Sequence, residues 1–207
     1  SFLRAGVMPA APEGWEVLIA TPGTRPFTRL AQALSETLPG DPETVKQLLQ
    51  FEDPETAVSL VSRWRHPYEE ALVILDQFEE LFTLNPEEVQ ESFIRLLGRL
   101  VEESGIHLLL SLRDDFLFRC HGYPELEAIF RDLTPIGQPT GSALKRALVN
   151  PAEKCGFGFE DEPLVEEMLE AASGERGTLP LLAFAAEKMW KRRDRGRKLL
   201  TREAYDV

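Results

Sequence analysis

A chain of 207 residues with 43% apolar side chains can bury one sizeable core, or a core and a smaller second domain, and is too apolar to remain disordered. Its 23 Lys and Arg stand against 35 Asp and Glu, a net charge of -12 that repels nucleic acid and anionic membrane surfaces at long range and argues against both as partners. The two cysteines, Cys120 and Cys155, lie in no metal-ligand spacing, and nothing reads as a membrane span or secretory signal, so a reduced, cytoplasmic setting is expected.

WEVLIA, residues 15–20, reads as a first strand, closed by Thr21 and the breakers Pro22, Gly23 and Pro26. Asp41-Pro42-Glu43-Thr44 recurs as Asp53-Pro54-Glu55-Thr56. Each reads as a helix start, with Asp capping free amides, Pro tolerated in the first turn and Glu complementing the dipole. ALVIL, residues 71–75, and IHLLLSL, residues 106–112, are apolar without alternation. That predicts central strands covered by helices on both sides, with 71–75 and 106–110 buried. Between them, NPEEVQESFIRLLGRLVEE predicts a helix capped by Asn85, with an apolar face of Val89, Phe93, Leu96, Leu97 and Leu100. RDLTPIG, around Leu133, offers one further short strand. Short apolar runs alternating with amphipathic segments are the pattern of βαβ units, so the class is α/β with a parallel sheet. Beyond Gly141 only helical spacing remains, which predicts an α/β core over 1–140 and a helical subdomain over 141–207.

The apolar strand 71–75 runs directly into Asp76, and Glu79 and Glu80 follow in DQFEELF. A central parallel strand delivers its last residue to the carboxyl edge of the sheet, where open α/β folds bind ligands. A carboxylate there is costly unless solvated or matched by a cation, and hydrated Mg2+ bridging to phosphates is one solution. The other is local: Asp76 caps the next helix, and Glu79 and Glu80 are first-turn acids on a solvated face. At the end of the next strand, LLLSLRDDF places Ser111 and Arg113 on a second polar edge. Arg113 there can meet phosphate oxygens or pair with Asp114, Asp115 or a DQFEE acid. Three other features read as structural. Cys120 beside His121 is a buried thiol next to a surface imidazole. CGFGF, residues 155–159, is a flexible turn with two packed phenylalanines. The cations between Lys188 and Lys198 form a solvated helix end.

FLRAGVMP, DQFEELF, SLRDDF and GTLPLLAFAAEKMW together resemble the STAND class of P-loop NTPases, in its novel STAND branch, over nearly the whole chain. The resemblance implies a three-layer P-loop sheet followed by the start of a helical lid, and an ATP- and Mg2+-dependent signalling switch. Asp76 then corresponds to the Walker B acid and Arg113 to the first sensor arginine. Glu79 or Glu80 would activate water, and Pro180 would contact nucleotide from the lid. Protein partners through repeat or effector domains, and homo-oligomerisation, are implied as outputs. No GxxxxGK[ST] occurs in the 207 residues, so by the resemblance Ser1 follows directly on that loop, and the chain is expected to be a partial domain. Gln77 stands where many P-loop ATPases carry a second acid, and Thr178 where a strict lid motif has glycine. These departures keep a scaffold that has lost nucleotide binding as the alternative.

Overall fold

The computed structural model describes residues 2–38, 41–50, 54–127, 129–137, 139–172 and 178–206. The chain divides into two compact units, Ser1–Thr134 and Pro135–Val207.

The first unit opens on short helical turns at Leu3–Val7 and Met8–Ala10. Strand β1 (Trp15–Ala20) leads through α1 (Pro26–Ser35), α2 (Pro42–Gln50) and α3 (Pro54–Arg65) to β2 (Glu70–Leu75). Helices α4 (Glu79–Leu84) and α5 (Glu87–Glu103) then lead to β3 (His107–Leu110), followed by the short α6 (Leu117–Cys120). The sheet has the order β1-β2-β3 with both pairings parallel, in a register that aligns Leu18 with Val73 and Val73 with Leu108. Each strand-to-strand connection carries helices, as parallel crossovers require. Strand side chains alternate between faces, so Leu18, Ala20, Ala71, Val73 and Leu75 enter one core with Leu30 and Leu34 of α1, Val61 and Trp64 of α3, and Phe93, Leu97 and Leu100 of α5. Each large side chain fully buried there contributes about 1.5 to 3 kcal/mol of transfer free energy. The one polar atom that Trp64 brings inside is satisfied, its indole N–H donating to Thr37 Oγ1 at 2.8 Å.

Asp41 caps α2 as its tetrapeptide predicts, Oδ1 accepting the Glu43 and Thr44 amides at 3.0 Å each. Its counterpart Asp53 lies outside the described residues. Three expectations are corrected. First, β3 is four residues long and, among the described residues, forms an edge of the sheet. His107 is exposed and Leu108, Leu109 and Leu110 are half-buried, as is Leu72. An apolar run favours burial on both faces, but cannot itself supply the layer that covers the second. Second, α5 starts at Glu87 with no side-chain cap. The Asn85 amide instead donates to Gly23 O at 2.8 Å and to Glu80 O and Leu81 O at 3.3 Å, tying the loop after β1 to the end of α4. Third, RDLTPIG forms no strand, and Leu133 and Ile136 are exposed, since Pro135 has no N–H for a ladder.

The second unit contains α7 (Gly141–Lys154), β4 (Gly158–Phe159), α8 (Glu162–Ala172), α9 (Thr178–Lys191), β5 (Leu199–Leu200) and α10 (Arg202–Tyr205). Leu144, Leu148, Leu164, Val165, Met168 and Met189 form its core. Helical spacing anticipates the three long helices but not the parallel pairing of β4 with β5. Gly158 and Phe159 of CGFGF are therefore strand, and both phenylalanines pack on that core. Nor is the cationic stretch solvated throughout: the Arg193 guanidinium lies 4.2 Å from the Trp190 ring centroid and 5.3 Å from that of Phe157.

Candidate functional site

Because β2 and β3 are parallel and Leu75 pairs with Leu110, Asp76 and Ser111 leave the sheet at the same edge, with Arg113 two residues on. The ladders continue past the strand ends. Asp76 N–H donates to Ala20 O at 2.9 Å, Ser111 N–H to Leu75 O at 3.0 Å, and Phe78 N–H to Ser111 O at 2.8 Å. Ser111 Oγ donates to Asp76 Oδ1 at 2.6 Å, the length of a charge-assisted bond to a carboxylate, and accepts the Gln77 N–H at 3.1 Å. Gln77 holds φ at +56°, a left-handed conformation unusual for a residue with a Cβ. Directly after this turn, Phe78 is fully buried and meets Phe82 edge-on at 5.6 Å, anchoring the start of α4. Phe78 occupies the cap position of α4 and no side chain caps that helix, so Asp76 is not its cap.

Glu79 and Glu80 form the first turn of α4, both half-buried. They differ in one atom. Glu79 Oε2 is buried and, among the described residues, has no hydrogen-bond partner, the costly state for a carboxylate oxygen unless a donor or cation meets it. Arg113 is exposed and takes the local pairing: Nε and Nη2 donate to Asp115 Oδ1 and Oδ2 at 3.1 and 2.8 Å, with the guanidinium 5.8 Å from the Phe116 ring centroid. The structure thus brings Asp76, Ser111 and Arg113 to one edge and turns Arg113 toward Asp115. Pro180 belongs to the second unit, exposed in the first turn of α9.

The model of the family described as Novel STAND NTPase 1 matches residues 1–207. The chain belongs to that family. Comparison with curated proteins and with solved structures returns no match. An NTPase family implies nucleotide and metal use in general, and the residues at this edge fit a hydrated divalent cation. They offer a fixed carboxylate at Asp76 and an orphaned buried oxygen at Glu79. Among the described residues no three His, Cys, Asp or Glu side chains converge as a ready-made metal cage. Cys120 beside His121 adds no ligand pair, its thiol being buried and pushed up to about 11 by desolvation. A hollow of about 440 Å³ between Phe2, Val7, Trp15 and Leu72 is apolar and lies by the start of β1, away from the carboxyl edge, so it is no phosphate site. Among the described residues no helix is long and apolar enough to cross a membrane.

Sequence reasoning missed the Ser111–Asp76 bond and the strained Gln77. The signal for the first was a small hydroxyl residue two positions before Arg113, at the end of the neighbouring strand. Nothing in a DQF tripeptide announces a left-handed glutamine.

Proposed function

We propose that this chain carries the ATP- and Mg2+-dependent switch site of a cytoplasmic signalling NTPase, on a P-loop-type sheet with helices on both faces and a helical lid in the second unit. The reading is carried by the Asp76 carboxylate, held by Ser111 at the carboxyl edge of a parallel sheet in a chain of an NTPase family. Bound Mg2+ would supply charge neutralisation at the phosphate oxygens. Asp76 would accept hydrogen bonds from the water shell of that ion. Of the two acids that follow, we assign Glu79 to the attacking water, because its Oε2 is buried without a donor among the described residues, and we leave Glu80 as a helix-start acid. Arg113 would exchange Asp115 for an oxygen of the terminal phosphate. Output is oligomerisation or effector release through protein partners.

The test is binding of a fluorescent ATP to the full-length protein, in Mg2+ and in EDTA, with hydrolysis followed in parallel. Asp76→Asn should abolish the gain in affinity that Mg2+ confers. Glu79→Gln should slow hydrolysis about a hundredfold with affinity retained, and Glu80→Gln should leave it within about threefold. A full-length protein that binds no nucleotide would make the domain an interaction scaffold instead.

A further inference from the structure

One hydroxyl joins the two strand ends that bear the site. Ser111 meets the end of β2 and the segment after it through three groups: its N–H holds Leu75 O, its carbonyl accepts the Phe78 N–H, and its Oγ bridges Asp76 and Gln77. The chemistry of the bridge leaves no choice of direction. An amide N–H can only donate, so Ser111 Oγ is the acceptor from Gln77 and its single proton goes to Asp76 Oδ1. Accepting one bond polarises the hydroxyl for donating the other. The left-handed Gln77, which a side chain resists, sits inside this bridge.

We propose that Ser111 is a positioning residue that fixes the plane of the Asp76 carboxylate for the water shell of the metal. The proposal rests on the reading of Asp76 given above. It assigns Ser111 no contact with nucleotide or metal. Its work is to keep the carboxylate from rotating, and partners of that kind change metal affinity by about 10- to 100-fold when removed.

The test uses the full-length protein and the ratio of its affinities for fluorescent ATP in Mg2+ and in EDTA. Ser111→Ala should lower that ratio about tenfold while leaving affinity in EDTA unchanged. Thermal midpoints are recorded for every variant. Ser111→Thr and Ser111→Val have the same shape and differ by the oxygen, so this pair decides the matter even where alanine or the added methyl costs stability. Threonine should hold the ratio near wild type, and valine should lower it as alanine does. Equal ratios for threonine and valine, or a wild-type ratio for alanine, would overturn the proposal. Asp76→Asn separates the two levels. If it abolishes the Mg2+ effect while the Ser111 variants do not, the positioning role alone is wrong. If it leaves the effect intact, the reading of Asp76 fails and the role of Ser111 falls with it.

Discussion

Arg113 is held by Asp115 through two parallel bonds, with 67% and 51% of the two side chains exposed, and this pair competes with any phosphate that the guanidinium is to meet. Asp115→Asn keeps an oxygen for one of the two bonds and removes the charge. An exposed ion pair is worth about 0 to 1 kcal/mol, and the bidentate geometry puts this one near the upper end. Releasing it should therefore tighten ATP binding by about two- to fivefold, since about 1.4 kcal/mol corresponds to a factor of ten. ADP, which lacks the terminal phosphate, should bind as before. The gain should shrink as salt is raised from 0.05 M to about 0.5 M, because screening weakens the pair in the parent protein as well. It should vanish when Arg113→Ala is added, because the cation for which Asp115 and the phosphate compete is then gone. The assay is a nucleotide titration of the full-length protein at both salt concentrations. If Asp115→Asn weakens ATP, or shifts ATP and ADP equally, Asp115 is not a competitor and Arg113 does not read the terminal phosphate.

Gln77→Gly relieves a left-handed strain of about 1 to 2 kcal/mol and costs about 0.5 to 1 kcal/mol in unfolded-state entropy, so urea unfolding should show no loss of stability, whereas Gln77→Val should lose at least about 1 kcal/mol. In α5, Gly98→Ala should destabilise by about 1 kcal/mol despite the better helix propensity of alanine. Its Cβ would lie 2.9 Å from Glu125 Cβ, and overpacking of about 1 to 3 kcal/mol exceeds a propensity gain of about 1 kcal/mol. Of the two thiols, exposed Cys155 should react with a disulfide reagent at pH 8 and buried Cys120 only after denaturation. Burial raises the Cys120 thiol from its ordinary 9.0 to about 11, so the unfolded chain ionises first and stability should fall as pH rises from about 9 to 11. Cys120→Ala should remove that part of the slope in pH-dependent urea unfolding.

The sheet was legible because a run such as ALVIL has no polar side to turn toward water, and one residue past its end places Asp76 at an edge. That Arg113 shares this edge follows from parallel pairing, which the helical spacing between the runs already required. Whether β3 would be covered on both faces was not legible, since four apolar residues state a preference and not a neighbour. The two-residue strands β4 and β5 are shorter than any window in which a period of two can be counted. Arg193 reads as one cation among seven until Trp190 and Phe157 are seen to flank it.

The two readings of Asp76, helix cap or metal acid, could not be separated by spacing, because an acid ahead of a helix serves either purpose. The cap reading falls because the helix begins at Glu79 with Phe78 in the cap position and no side-chain cap bond, and the Asp76 carboxylate is held instead across 35 positions, by Ser111 Oγ. Glu79 and Glu80 present the same difficulty at closer range. Adjacent residues of the same type carry the same propensity, charge and dipole complement, so no pattern distinguishes them. Turning 100° around a helix sends one carboxylate oxygen into a place where no described residue donates to it, and only the surroundings of that oxygen single out Glu79. The sequence can say that acids belong at this edge. Which acid is left with an unmet oxygen is a property of the packing around it, and an unmet oxygen is what asks for a ligand.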